Sequence, residues 1–265
     1  MPNNLMSQNF DPNQNYYLFN KKSSIPIVFI HGVGLDHQMW NKQVDYLDEF
    51  SILTYDLLGH GKTPCDKDKL NLKDFSDQLL ELLNHLEIEK INLVGFSLGS
   101  LIALDFASRF QKKIEKLILI GTTYKRSDVE RSLVLDRYNQ AKLNKPISKQ
   151  ALKRWFSDKY LVDNPKTYDL FMKILNKEPK DHKNFLKAYE LFANHYDDLE
   201  AIKKIDRKTL IMTGSDDIGS TPAMSKELEK DLVNSTYIEI QNGKHLCSIE
   251  CVDDVNMNIK NFINN

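Results

Sequence analysis

The chain has 265 residues, 36 basic side chains against 37 acidic ones, and a net charge of −1. With its lysines spread rather than massed, it offers no basic surface for nucleic acid or an anionic membrane. Its three cysteines, Cys65, Cys247 and Cys251, are too few and scattered for a disulfide framework or a zinc site and fit a reducing compartment.

The N-terminal stretch is polar (Asn3, Asn4, Gln8, Asn9, Asp11) and lacks the basic-then-apolar layout of a signal peptide. No apolar run approaches the ~20 residues needed to cross a bilayer. A soluble cytoplasmic protein is therefore expected. Short β-branched apolar runs recur along the chain: Ile27–Ile30, Ile52–Tyr55, Ile91–Val94, Leu117–Ile120, Leu210–Thr213 and Tyr237–Ile240. Most are continuously apolar rather than alternating, as for strands buried on both faces. Helical patterns lie between them. The clearest is Leu72, Phe75, Leu79, Leu82, Leu83 and Leu86, preceded by Asn71 and Asp74 in capping-box spacing. This alternation predicts an α/β fold, a mostly parallel, doubly wound sheet that binds ligands beyond the carboxyl ends of its strands.

From about Thr122 to Glu200 no strand is predicted. The segment is charged, helical, punctuated by Pro146, Pro165 and Pro179, and rich in aromatics: Tyr124, Tyr138, Trp155, Phe156, Tyr160, Phe171, Phe185, Tyr189 and Phe192. It reads as a helical cap, residues 122–200, inserted into a core of residues 1–121 and 201–265. Most of these aromatics are expected to form the insertion's own core, and a few to face a pocket beneath it.

The most informative run is Ile91-Asn-Leu-Val-Gly95-Phe-Ser97-Leu-Gly99, followed by the helix-forming Ser100 to Phe110. A strand running through Gly-x-Ser-x-Gly into a helix pushes a serine hydroxyl out at the sheet edge, and larger residues at the two glycines would collide with neighbouring elements. Gly99, Ala103 and Ala107, four apart, let that helix approach the sheet closely. A serine nucleophile needs a base, an acid that orients the base, and backbone donors for the oxyanion. The base candidate is His245, in a Gly-containing loop after the last strand. Among the rivals, His85 falls on a helix, His182 and His195 in the insertion, His37 at a helix start, and His31 and His60 in early loops. The acid candidates are the adjacent Asp216 and Asp217, after the strand ending at Gly214. The oxyanion donors would be the N–H groups of Leu98 and of Val33 in His31-Gly-Val-Gly34.

With these residues in view the chain resembles the α/β-hydrolase family over nearly its whole length outside the insertion. The run His31 to Trp40, the turn Tyr55-Asp-Leu-Leu-Gly-His-Gly-Lys-Thr63 and the elbow Gly95 to Gly99 carry the resemblance. It implies an acid three residues after the strand-ending glycine, which selects Asp217. It departs from the common turn motif at Leu58, where arginine is frequent, and at Thr63, where serine is frequent; both are expected to be structural. Asp217-Ile-Gly-Ser-Thr-Pro222 and His245-Leu-Cys-Ser-Ile-Glu250 look most like 3-oxoadipate enol-lactonases and their carboxylesterase relatives. That resemblance implies hydrolysis of a small-molecule ester or lactone through an acyl-enzyme, with no cofactor and no metal. C–C bond hydrolases, thioesterases, perhydrolases and acyltransferases would use the same three residues. A dehalogenase would need aspartate in place of Ser97, and a ligand receptor on this scaffold would show a damaged triad.

Gly59-His-Gly-Lys62-Thr63 ends like a phosphate-binding loop, but Asp56 stands where that motif needs its first glycine. Asp56 is expected to fix backbone near the site. A substrate with a free carboxylate would want a cation from the insertion, where Arg126, Arg131, Arg137 and Arg154 are available; surface solvation explains them equally well.

Overall fold

The computed structural model describes residues 7–23, 25–143 and 147–265. Asn3, Asn4 and Pro146, named above, lie outside them. Eight strands, β1 (Ser7–Phe10), β2 (Tyr16–Asn20), β3 (Ile27–Ile30), β4 (Ile52–Tyr55), β5 (Ile91–Phe96), β6 (Ile114–Ile120), β7 (Lys208–Gly214) and β8 (Ser235–Ile240), form one sheet in the order β1-β2-β4-β3-β5-β6-β7-β8. The pairs from β4 through β8 are parallel, and β1 and β2 add an antiparallel edge. All six predicted strands are present, three of them longer than their apolar runs and the last beginning at Ser235. The edge hairpin was not read from the sequence: Ser-Gln-Asn-Phe carries no apolar pattern, and β2 is buried only at its first two residues.

The helices are α1 (Asn41–Tyr46), α2 (Leu72–His85), α3 (Leu98–Phe110), α4 (Asp128–Lys142), α5 (Ser148–Trp155), α6 (Asp158–Asp163), α7 (Pro165–Leu175), α8 (Pro179–Asn194), α9 (Leu199–Ile202), α10 (Pro222–Asp231), α11 (Cys247–Glu250) and α12 (Val252–Asn264). The predicted capping box starts α2, with Asn71 and Asp74 satisfying each other's backbone N–H groups. Helix α3 begins at Leu98, two residues before the predicted Ser100.

The continuous apolar runs have a simple cause. Val28, Ile30, Leu93, Leu117 and Leu119 bury one face of the sheet against α2 and α3, while Ile27, Phe29, Val94, Phe96, Ile118 and Ile120 bury the other against residues of α11 and α12. Each strand is thus apolar at both parities, and burial of each such side chain contributes roughly 1.5–3 kcal/mol.

Between β6 and β7 the described residues form the helices α4 to α9, joined by short loops, and no strand. Pro165 and Pro179 stand at the first positions of α7 and α8, where a missing N–H is harmless. No helix among the described residues is long and apolar enough to cross a membrane.

The register brings a set of loops to one edge. Ile30 lies beside Gly95, Phe96 beside Ile120, Ile120 beside Met212, and Gly214 beside Ile240. The residues after β3, β5, β6, β7 and β8 therefore emerge together at the carboxyl end of the sheet.

Candidate active site

Ser97 sits at the turn between β5 and α3 with φ 53° and ψ −115°, a conformation that costs a non-glycine residue energy and has to be held by its surroundings. The hold is visible. Its N–H donates to Ile120 O at 2.9 Å, and its carbonyl accepts from Ser100 N and Leu101 N. Ser100 Oγ donates to Gly95 O at 2.7 Å, closing the turn from the helix side. The two flanking glycines lie against backbone. A Cβ at Gly95 would overlap the Gly99 carbonyl, and one at Gly99 would overlap the Ile30 carbonyl at the end of β3. Ala103 and Ala107 continue the small-residue stripe, both fully buried.

His245 follows β8, and its Nδ1 lies 2.6 Å from Asp217 Oδ2. The other oxygen of Asp217 accepts from Gly219 N at 2.8 Å and Ser220 N at 3.0 Å, so this buried carboxylate is fully engaged. The loops that carry the pair are tied by Ser215 N donating to Ile240 O and Asp216 N donating to Gly243 O. Asp216 points away: it is exposed and, among the described residues, its side chain accepts only from Ser215 Oγ. The structure thus brings Asp217, not Asp216, to His245.

The imidazole is bounded by Phe96 (ring centroids 4.9 Å apart) and by Trp155 of α5 at 6.5 Å. Ser97, His245, Asp217 and Val33 line one cavity. Among the described residues no hydrogen bond joins the Ser97 hydroxyl to the ring; such bonds are often long without substrate and tighten on binding.

The Val33 loop is braced by two histidines that the sequence alone places in loops without a role. His31 Nδ1 approaches Gly32 O at 2.8 Å and its Nε2 accepts from Leu57 N. His60 Nε2 accepts from Gly34 N at 3.1 Å. Burial pushes both histidines below their usual range, His60 well below, as expected for rings held neutral in the interior. Asp56 accepts from His37 N and Lys62 N and contacts His37 Nδ1 at 2.7 Å. Burial opposes its ionisation, but the contact with His37, the nearby histidines and the Lys62 N–H outweigh it and leave the carboxyl below its ordinary value. Asp56 therefore fixes backbone, as expected. Thr63 is structural too, its Oγ1 accepting from Tyr16 N at 2.9 Å.

The segment between β6 and β7 supplies the far wall: Glu130, Leu133, Val134, Arg137, Arg154, Trp155, Tyr189 and Phe192. Three of the nine aromatics thus face the cavity, and the other six do not line it. The four arginines divide in the same way. Arg126 donates to Phe192 O and His195 O, and Arg131 to His195 O and Arg126 O; Arg137 and Arg154 line the cavity.

A family model described as the α/β hydrolase fold matches residues 25–250. The chain is 25% identical to an (E)-2-((N-methylformamido)methylene)succinate hydrolase of Acinetobacter baylyi over 248 residues, 92% of each chain. It is 23% identical to 3-oxoadipate enol-lactonase 2 of the same organism, over 89% of this chain and 87% of that one. Among solved structures, the enol-lactonase from Burkholderia xenovorans superposes with a TM-score of 0.87 at 24% identity, covering 96% of this chain and 98% of that one; this is an agreement of fold.

Proposed function

The chain belongs to the α/β hydrolase fold family, and from that premise we propose that it is a serine hydrolase cleaving a carboxylic ester or lactone of a small molecule. The observation that carries the reading is the hydrogen-bonded His245–Asp217 pair sharing a cavity with a serine on a positive-φ strand-to-helix turn. Ser97 is the nucleophile, His245 the base and Asp217 the acid that holds the ring. Residues 122–200 act as a cap over the core formed by residues 1–121 and 201–265. The relatives named as an enol-lactonase and as a hydrolase of a substituted succinate support hydrolysis at a carbonyl.

In the first step the Ser97 hydroxyl attacks the carbonyl while His245 Nε2 takes its proton. Asp217 Oδ2, against Nδ1, fixes the tautomer and stabilises the imidazolium. The tetrahedral oxyanion is met by the N–H groups of Val33 and Leu98, which have no carbonyl acceptor among the described residues; losing one such donor typically costs about 10²–10³ in turnover. His245 then protonates the departing alkoxide or enolate, and in the second half activates water against the acyl-enzyme.

The test is turnover on matched panels of esters, lactones and thioesters by the native enzyme and by Ser97→Ala. We expect ester or lactone turnover in the native enzyme and a loss in kcat of about 10⁴ or more in the variant. Near-normal turnover in Ser97→Ala overturns the assignment, and stoichiometric binding without turnover by the native chain would make the protein a receptor.

A further inference from the structure

The helical segment is not attached evenly to the core. Its helices α4 and α8 reach the core through one hydrogen bond among the described residues, from Lys187 Nζ to Cys65 O at 3.5 Å. The stretch around the α5–α6 junction, residues 153–160, is instead fastened to the residues around His245. Leu246 N donates to Trp155 O at 3.0 Å, and Lys244 Nζ donates to Lys153 O at 3.0 Å. Both acceptors are carbonyls of the last turn of α5, which a helix leaves without internal partners. Tyr160 Oη donates to Ile249 O at 3.1 Å.

Glu250, the last residue of α11, completes this joint. Its Oε1 accepts from Ser157 N at 3.1 Å and from the Ser157 hydroxyl. Its Oε2 accepts from Ser157 N at 3.3 Å and from Lys244 N, the amide just before His245, at 3.5 Å. The Ser157 contacts are the closer ones, so the carboxylate is anchored on the segment and limits how far the loop can move from it. Ser157 is itself the N-cap of α6, its Oγ accepting from Tyr160 N at 3.2 Å. The amides on either side of His245 are thus both held to residues 155–157, Leu246 N directly and Lys244 N through Glu250. Asp217, 2.6 Å from Nδ1, fixes the ring; these contacts fix the main chain that carries the ring.

We propose that Glu250 is a positioning residue for the hydrolysis: by binding Ser157 and the Lys244 amide together, it fastens the helical segment to the main chain that places His245. The inference rests on the reading of His245 as the base for Ser97. Glu250 does not line the cavity, so it acts through the imidazole and not on substrate. Proton transfer needs that ring within hydrogen-bond reach of the serine hydroxyl and then of the leaving group. A misplacement of about 1 Å, caused far from the chemistry, can cost about 10²-fold in rate. Trp155, whose carbonyl holds Leu246 N, also turns its ring toward the imidazole, 6.5 Å away, and lines the cavity. The joint therefore links the wall that faces substrate to the base that acts on it.

The experiment measures steady-state kinetics on p-nitrophenyl acetate for the native chain, Glu250→Ala, Glu250→Gln and Ser157→Ala, each well below its thermal midpoint and normalised to active sites titrated with an alkyl fluorophosphonate. We expect kcat to fall about 10–100-fold in Glu250→Ala with KM within about twofold, since positioning and not binding is lost. Glu250→Gln, which keeps one acceptor, should lie between Glu250→Ala and the native chain. Ser157→Ala, which keeps its N–H, should lose least. The double variant Glu250→Ala, Ser157→Ala should lose less than the product of the single losses, because both remove the same link. Proton NMR reads that link without turnover: the low-field resonance of the His245 Nδ1–H against Asp217 should shift or broaden in Glu250→Gln. Should Glu250→Ala fail to fold, Glu250→Gln and Ser157→Ala carry the test. An unchanged kcat in Glu250→Gln, a loss carried by KM alone, or an unchanged resonance each overturns the proposal. If the native chain turns over no ester yet the resonance changes in Glu250→Gln, the hydrolase reading fails and the joint stands. If the native chain and Glu250→Gln cleave the ester equally, the hydrolase reading stands and the positioning role fails.

Discussion

The sheet and the segment between β6 and β7 build the two walls of one cavity by different means. On the sheet side the positions are set by backbone. Ser97 is held by carbonyl and amide contacts to Ile120, Ser100 and Leu101, and the Val33 loop by His31, His60 and Asp56 reaching main-chain atoms. On the segment side the wall consists of side chains projecting from separate helices, Arg137 from α4, Arg154 and Trp155 from α5, Tyr189 and Phe192 from α8. A wall fixed by backbone tolerates little change and suits groups that must meet within a few tenths of an ångström. A wall made of side chains can be exchanged residue by residue without disturbing the sheet, which is how one scaffold comes to serve different substrates.

The contrast is sharpest at the proposed acid. Asp217→Asn should lower kcat by about 10³–10⁴, because the amide no longer enforces the tautomer that His245 needs. Asp216→Asn next to it, exposed and bound only to Ser215, should stay within about twofold. Steady-state kinetics on a p-nitrophenyl ester reads both. The reverse order would move the acid to residue 216 and break the account of this loop.

The next largest effect concerns folding. In Gly99→Ala the new methyl would overlap the Ile30 carbonyl, and because the obstacle is backbone, relief requires α3 to shift against β3. A loss of about 1–3 kcal/mol or more follows, seen as a lower midpoint in urea with the slope unchanged. A neutral result would mean that the elbow is less tightly determined than its contacts indicate.

The smallest effect is a pH dependence. His31 and His60 are held below the ordinary histidine value, so as pH falls through about 6.5 the unfolded chain binds protons that the folded chain refuses. Their contribution is complete above that pH and declines as pH drops toward the folded values. The contribution of Asp56, whose folded value is also depressed, is complete above the ordinary carboxylate range and disappears only at more acid pH. Thermal midpoints should therefore decrease on acidification from pH 7 to 5, with a shallower decrease in His60→Gln. A midpoint that rises over this interval contradicts the bracing role given to the two rings.

The same division decides what could be read from sequence. Strands β3 through β8 are legible because burial on both faces writes itself as an uninterrupted apolar run, and Ser97 and His245 because each lies in a Gly-containing turn after such a run; between Asp216 and Asp217 the residues alone leave the choice open, and only the family resemblance selects Asp217. The β1–β2 hairpin is not legible, since Ser-Gln-Asn-Phe carries no apolar pattern and β2 is buried only at its first two residues. The segment's nine aromatics and four arginines were visible as residue types, but their roles depend on which way each helix is turned. Arg126 and Arg137 are eleven positions apart and look alike on paper; one ties two carbonyls and the other faces the cavity. His31 and His60 were likewise recognisable only as loop residues, because their partners, Leu57 N and Gly34 N, come from other turns.

The most direct measurement is covalent capture. The native protein, its His245→Ala form and its Ser97→Ala form are treated with an alkyl fluorophosphonate and digested, and the adduct is located by peptide mass spectrometry. The account predicts near-stoichiometric phosphonylation of the native chain on the peptide bearing Ser97, a large slowing without the imidazole, and none without the hydroxyl. An adduct on another residue, or ester turnover by a chain whose Ser97 stays unmodified under conditions that label known serine hydrolases, would contradict it.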